Sequence, residues 1–234
     1  MKKKRVKQIG VLCAAWLAAW VHAAVPDYQV DSAQGPRLLL WVSSERGRAE
    51  PEAVAAKKLA RQGVTVWSLD VPGAFFLPQL PSSMDKASPG EVAEWLVAAL
   101  DTGKQLTVYA VGRAAVPVLR AAALLDAGQR GRMCVLLMYP NLYQSAEALA
   151  DADYLDTGRL DGLAIRVLQP RRSAATPWLP AQLAHLSALG ARVTPVMIEN
   201  VREGYWARET PTAFEIEQAG QMDKLLMREL ESCR

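Results

Sequence analysis

The stretch Leu106-Thr-Val-Tyr-Ala-Val111, Gly112-Arg113-Ala114-Ala115-Val116, Pro117-Val-Leu-Arg-Ala-Ala-Ala123 reads as strand, tight turn and helix. The first part is apolar, aromatic and β-branched, as strand residues are. Gly112 supplies the conformational freedom that a sharp corner requires. A strand running straight into a helix is the unit from which parallel sheets are built.

The same alternation runs outward in both directions. Pro36-Arg-Leu-Leu-Leu-Trp-Val42 is a strand. Pro51 to Gln62 is a helix with proline early and Gly63 just past its end, the asymmetry helices favour. Val64-Thr-Val-Trp-Ser-Leu69 is the next strand. A Pro/Gly-rich loop with Phe75 and Phe76 follows, and Ser88-Pro89-Gly-Glu91 makes a capping box for a helix over Val92 to Leu100. Beyond the corner come a helix to Ala127, a strand over Met133 to Tyr139 and an acidic stretch from Asp151 to Asp161. A strand over Leu163 to Leu168, a helix over Leu179 to Leu189, a strand over Val193 to Ile198 and a long helix over Phe214 to Leu230 complete the chain. A short opening strand is expected around Tyr28 to Val30. Together these predict a three-layer α/β architecture, a mostly parallel sheet with helices on both faces. With no internal repeat and no linker, residues 24–234 form a single domain.

Residues 1–23 read as an export signal. Lys2, Lys3, Lys4, Arg5 and Lys7 are a basic start, Ile9 to Trp20 an apolar run, and Val21-His22-Ala23 a small-residue cleavage pattern. The apolar run is short of the roughly 20 residues a membrane span needs. Cys13 raises a lipoprotein alternative that the preceding Leu12 disfavours. Cleavage after Ala23 places the protein in a bacterial periplasm, with no span left in the mature chain. The full chain carries a net +3, and losing those five cations leaves −2. No basic stripe remains for a nucleic acid. Cys134 sits in an apolar run and Cys233 beside the C-terminus; a disulfide between them is geometrically possible but unsupported by spacing, and a buried thiol and a tail thiol are the simpler reading.

The corner at Gly112 and the element order resemble the α/β-hydrolase family without a large cap. That family carries G-x-S-x-G at a strained strand-to-helix elbow, then an acid, then a histidine along the chain. The resemblance puts Ala114 where the serine belongs and Val116 in place of the second glycine. It puts Gln169-Pro170-Arg171-Arg172-Ser173 on the acid loop, with Arg171 at the acid position. Glu199-Asn-Val-Arg202-Glu203-Gly204-Tyr205-Trp206 falls on the histidine loop, where dienelactone-hydrolase-like relatives read His-Gly-Phe and Glu203 replaces the histidine. The triad of hydroxyl, imidazole and carboxylate is thus degenerate at Ala114, Arg171 and Glu203. A looser similarity is to secreted VirJ-type proteins, which implies an accessory role in an envelope system.

The chain holds two histidines. His22 lies in the signal, and His185 falls off the apolar stripe of its helix, a solvent-facing position. One isolated histidine and two separate cysteines offer no metal cluster, and no G-x-G-x-x-G follows a strand. No cofactor is implied. Ser43 and Ser44 follow the first strong strand, where they are a nucleophile of second resort or turn residues. Asp70 either pairs with Glu203 or closes its own turn.

Arg46, Arg113, Arg171, Arg172 and Arg202 fall at strand ends on the carboxyl edge, with Phe75, Phe76, Tyr139, Tyr143, Trp178, Tyr205 and Trp206. Guanidinium forks bind carboxylates and phosphates. Two readings stay open: a crevice for an anionic ligand, or arginines paired with Glu45, Glu203 or Glu209 and solvated. The function expected is binding, of an anionic envelope molecule or a partner protein. The alternative is an ester or amide hydrolase with a rearranged site and Glu203 as base.

Overall fold

The structure, a computed structural model, describes residues 28–145 and 153–233. The expected export signal, with Cys13 and His22, and the start of the acidic stretch lie outside them. In chain order the elements are β1 (Gln29–Asp31), β2 (Arg37–Val42), α1 (Glu50–Arg61), β3 (Val64–Leu69), α2 (Val71–Ala74), α3 (Pro81–Met84) and α4 (Pro89–Asp101). They continue with β4 (Gln105–Val111), α5 (Ala115–Leu124), α6 (Ala127–Gly131), β5 (Met133–Met138), β6 (Tyr143–Ser145), β7 (Asp153–Tyr154) and β8 (Ala164–Pro170). Last come α7 (Leu179–Ala188), β9 (Arg192–Ile198), α8 (Ala213–Gly220) and α9 (Met222–Ser232).

Seven strands form one sheet in the order β1-β3-β2-β4-β5-β8-β9. All pairs are parallel except β1 with β3. Alternation along each strand splits the core into two halves. Leu38, Leu40, Val42, Val108, Ala110, Val135 and Leu137 pack on one face beneath α4, α5 and α7. Leu39, Trp41, Val66, Tyr109, Leu136 and Met138 pack on the other beneath α1 and α9. Both faces being covered, the central strands are apolar at nearly every position. Pro195 is tolerated in β9 because that strand is the sheet edge.

The order β3-β2-β4 contains the topological reversal. From β2 the chain crosses through α1 to one side, and from β4 it crosses through α5 to the other. The carboxyl ends of β2 and β4 therefore part, opening the crevice where sheets of this kind bind ligands.

Three expectations change. The helix expected to reach Ala127 stops at Leu124, and Asp126 caps a separate α6 through Gln129 N–H at 2.8 Å. The long terminal helix is two, because the Lys58 ammonium donates to the Gly220 carbonyl at 2.7 Å where that carbonyl would otherwise continue the helix. And Cys134 on β5 is disulfide-bonded to Cys233 after α9, with Cα atoms 5.7 Å apart. Their separation of 99 positions along the chain hid the pairing; α9 crossing back over the sheet brings them together.

Candidate functional site

At the end of β4 the backbone turns at Gly112, whose φ is +57°. Ala114 has φ −61° and ψ −16°, already helical, and is fully buried at the start of α5. The strained strand-to-helix position is therefore Gly112 rather than Ala114, which corrects the alignment from sequence. A side chain on Gly112 would meet Tyr139 Cε2 at 3.5 Å, an ordinary contact. The corner has room for a nucleophile and carries a hydrogen atom. The signal was present: Ala110 and Ala114 stand two residues to either side of Gly112, where the motif has its glycines.

The other two positions follow the same pattern. β8 continues in register with β9 through Pro170 opposite Ile198, two residues beyond the expected end, which shifts the loop. Arg171 then points to the surface, where it pairs with Glu199 at 2.7 Å. The acid-loop residue whose side chain reaches Glu203 is Ser173, whose hydroxyl donates to its Oε2 at 2.8 Å. Gly112 thus stands at the corner, and Ser173 and Glu203 meet between the loops after β8 and β9.

A cleft of about 640 Å³ opens at this point, between the β2–α1 loop, the corner and the loop after β9. Gly112, Tyr139, Glu203, Glu52, Ser44 and Trp206 are among its lining residues. Tyr139 sits directly after β5 with φ +37°. Its phenol is pushed far above the usual range, first by burial and then by Glu52, Glu203 and Glu45 nearby. It stays protonated and offers an O–H donor. Glu52 is 2% exposed. Its Oε2 accepts the Ala49 N–H at 2.7 Å, closing the start of α1. Burial raises its carboxyl to about 7, against the opposing pull of that hydrogen bond and of Arg48. Ser44 accepts from Arg46 N–H at 3.4 Å, as turn serines do. Ser43 Oγ is buried without a partner.

The arginines do not converge, which overturns the expected crevice of Arg113 with Arg171 or Arg172. Arg113 is 8% exposed. It forms a two-pronged pair with Asp85 at 2.7 and 2.6 Å, and its remaining NH1 reaches the carbonyls of Asn141 and Tyr143. Its donors are used inside the protein. Arg202 is closed on buried Glu215 at 2.8 Å. The Arg202 hydrogen bonds hold the Glu215 carboxyl well below the usual carboxylate range. Arg172 is exposed, and neither it nor Arg171 or Arg202 lines the cleft. Trp206 does line it, whereas Tyr205 is buried behind it, the two rings 5.0 Å apart and perpendicular. Four cations line the cleft: Arg113 is closed on Asp85 and Arg48 is bound to Ser68 at 2.6 Å, which leaves Arg46 and Arg208 as the less committed ones.

Asp70 caps α2 through the Gly73 N–H at 3.2 Å, a turn role, and is not part of the cleft lining. Phe76 and Trp178 are 97% and 51% exposed, outside that lining. His185 is not solvent-facing as expected: it stacks on Tyr154 with ring centroids 4.3 Å apart, its Nε2 is buried without a partner, and burial lowers its pKa. No group of three metal-ligating side chains occurs among the described residues, and no helix there is long and apolar enough to cross a membrane.

No protein-family model and no curated protein matches the chain. Solved structures do. One is a protein assigned as a dienelactone hydrolase from Klebsiella pneumoniae, with TM-score 0.54 and 14% identity, covering 82% of this chain and 86% of that one. Esterase 2 of Thermogutta terrifontis in its apo form has TM-score 0.56 and 10% identity, covering 88% and 90%. Est1E from Butyrivibrio proteoclasticus has TM-score 0.53 and 13% identity, covering 88% and 94%. The order of elements, the corner after β4 and these likenesses agree: the chain has an α/β-hydrolase-like fold.

Proposed function

We propose that this protein is an exported binding protein, non-catalytic, that holds a ligand in the cleft beside Gly112. The observation that carries the reading is the corner itself, where the fold has space for a nucleophile and the chain has glycine. A hydrolase of this kind needs a base for its hydroxyl and an acid for its base. Glu203 held by Ser173 supplies neither an imidazole nor a buried carboxylate behind one. What the cleft retains is hydrogen-bonding capacity, from the Tyr139 phenol, the carboxyls of Glu52 and Glu203, and the rim guanidiniums of Arg46 and Arg208. An anionic envelope molecule or a partner's acidic group would be met by those two arginines. Export is supported by residues 1–23 and by the Cys134–Cys233 disulfide, because disulfides persist in oxidising compartments such as the periplasm.

A fluorophosphonate probe tests the reading on the protein isolated from the periplasmic fraction, where mass spectrometry should find Ala24 at the N-terminus. No labelling is expected. The second reading, a hydrolase of an ester or amide, is favoured by the esterase neighbours and by Ser44 lining the same cleft as Glu203. Stoichiometric labelling at Ser44 would establish it and overturn the first.

A further inference from the structure

A second cavity, of about 340 Å³, lies between α1 and α8. Pro51, Val54, Ala55, Pro211, Ile216 and Ala219 make half of its lining. Val54 and Ile216 are 46% and 60% exposed, aliphatic side chains left to water on two adjacent helices. The polar groups at its far end are satisfied by one another: Lys58 Nζ donates to Gly220 O at 2.7 Å and lies 3.4 Å from Asp223 Oδ1, while Gln62 donates to Asp223 Oδ2 at 3.2 Å. That end therefore offers little to a polar ligand. The volume falls within the range of small-molecule sites, which are mostly apolar with few polar groups.

This pocket and the cleft share their walls. Trp206 lines both. The first turns of α1 give Ala49 and Glu52 to the cleft, and Pro51 and Val54 to the pocket. The segment after Trp206 gives Thr210 to the cleft and Pro211 to the pocket. The cleft is rich in donors and acceptors and the pocket in aliphatic groups, and the Trp206 indole belongs to both linings.

We propose that the two cavities are halves of one site for an amphiphile, its hydrogen-bonding head in the cleft and its aliphatic chain in the pocket across Trp206. The proposal rests on the cleft being a binding site and names the chemistry of what it binds. Burying the chain against Val54 and Ile216 removes apolar surface from water on both partners.

Isothermal titration with n-alkyl β-glucosides from ethyl to octyl, each below its micelle-forming concentration, tests it. Affinity should rise by about fourfold per added methylene until the pocket is filled. Ile216→Glu should abolish that rise, and Glu203→Gln should weaken every member by a similar factor. Binding that does not vary with chain length overturns the aliphatic half and leaves the cleft reading standing. Binding that rises with length but ignores Glu203→Gln overturns the joint site. The absence of binding by any member overturns the amphiphile, while the cleft reading still stands or falls on the fluorophosphonate result. Light scattering on the same samples covers the remaining occupant, because a dimer dissociated by Ile216→Glu would make the pocket a self-association surface and refute the proposal.

Discussion

Ser173 Oγ donates to Glu203 Oε2 at 2.8 Å, bridging the loop after β8 to the loop after β9. In a hydrolase of this fold a carboxylate would hold an imidazole across those loops. Here a hydroxyl donates to a carboxylate. Gly112→Ser alone should leave the protein unreactive, since nothing takes the serine's proton. Gly112→Ser with Glu203→His and Ser173→Asp should hydrolyse p-nitrophenyl acetate at least roughly 100-fold faster than Gly112→Ser, the usual contribution of a positioned base. Equal rates for the two variants would show that the three loops do not hold triad geometry.

Arg113 is a structural staple between the corner and Asp85. Asp85→Ala leaves a guanidinium buried without its charge partner, which should cost about 3 kcal/mol in urea denaturation. An unchanged denaturation midpoint would mean that the Arg113–Asp85 pair contributes nothing to stability.

The disulfide closes a large loop, so its effect falls mainly on the unfolded chain. Cys233→Ser should lower stability by roughly 3–5 kcal/mol. Dithiothreitol should lower the wild-type protein by a similar amount and the variant not at all. Equal sensitivity of both to reductant would contradict the pairing.

Glu52 has its carboxyl raised by burial to about 7 from an ordinary 4.5. Between those values the folded state holds a proton that the unfolded chain has lost. Its stabilising contribution is complete below pH 4.5 and disappears as pH rises to about 7. Glu52→Gln, which can still accept the Ala49 N–H, should be the more stable form at pH 8, by up to roughly 3 kcal/mol, and little different at pH 4.5. Denaturation at the two pH values measures it, and identical differences at both would exclude a protonated Glu52.

The succession of elements around Leu106–Ala123 was legible because both signals are local. Strand residues buried on two faces read as apolar runs, and helix ends announce themselves in Ser88-Pro89-Gly-Glu91 and in Gly63. The same sequence told that histidine was missing from the loop after β9. The site required distances. Gly112 rather than Ala114 is the corner because φ, not the motif's letters, decides which residue turns, although Ala110 and Ala114 flanked it visibly. Ser173 replaced Arg171 because β8 stays paired with β9 as far as Pro170, and pairing length is a property of two strands. Arg113, Arg171 and Arg202 shared an edge in the sequence, but whether a guanidinium is free depends on its neighbour. Asp85, Glu199 and Glu215 are 28, 28 and 13 residues away along the chain. Cys134 and Cys233 met only once α9 had folded back over the sheet. Patterns of one residue type with itself are written along the chain; partners are chosen across it.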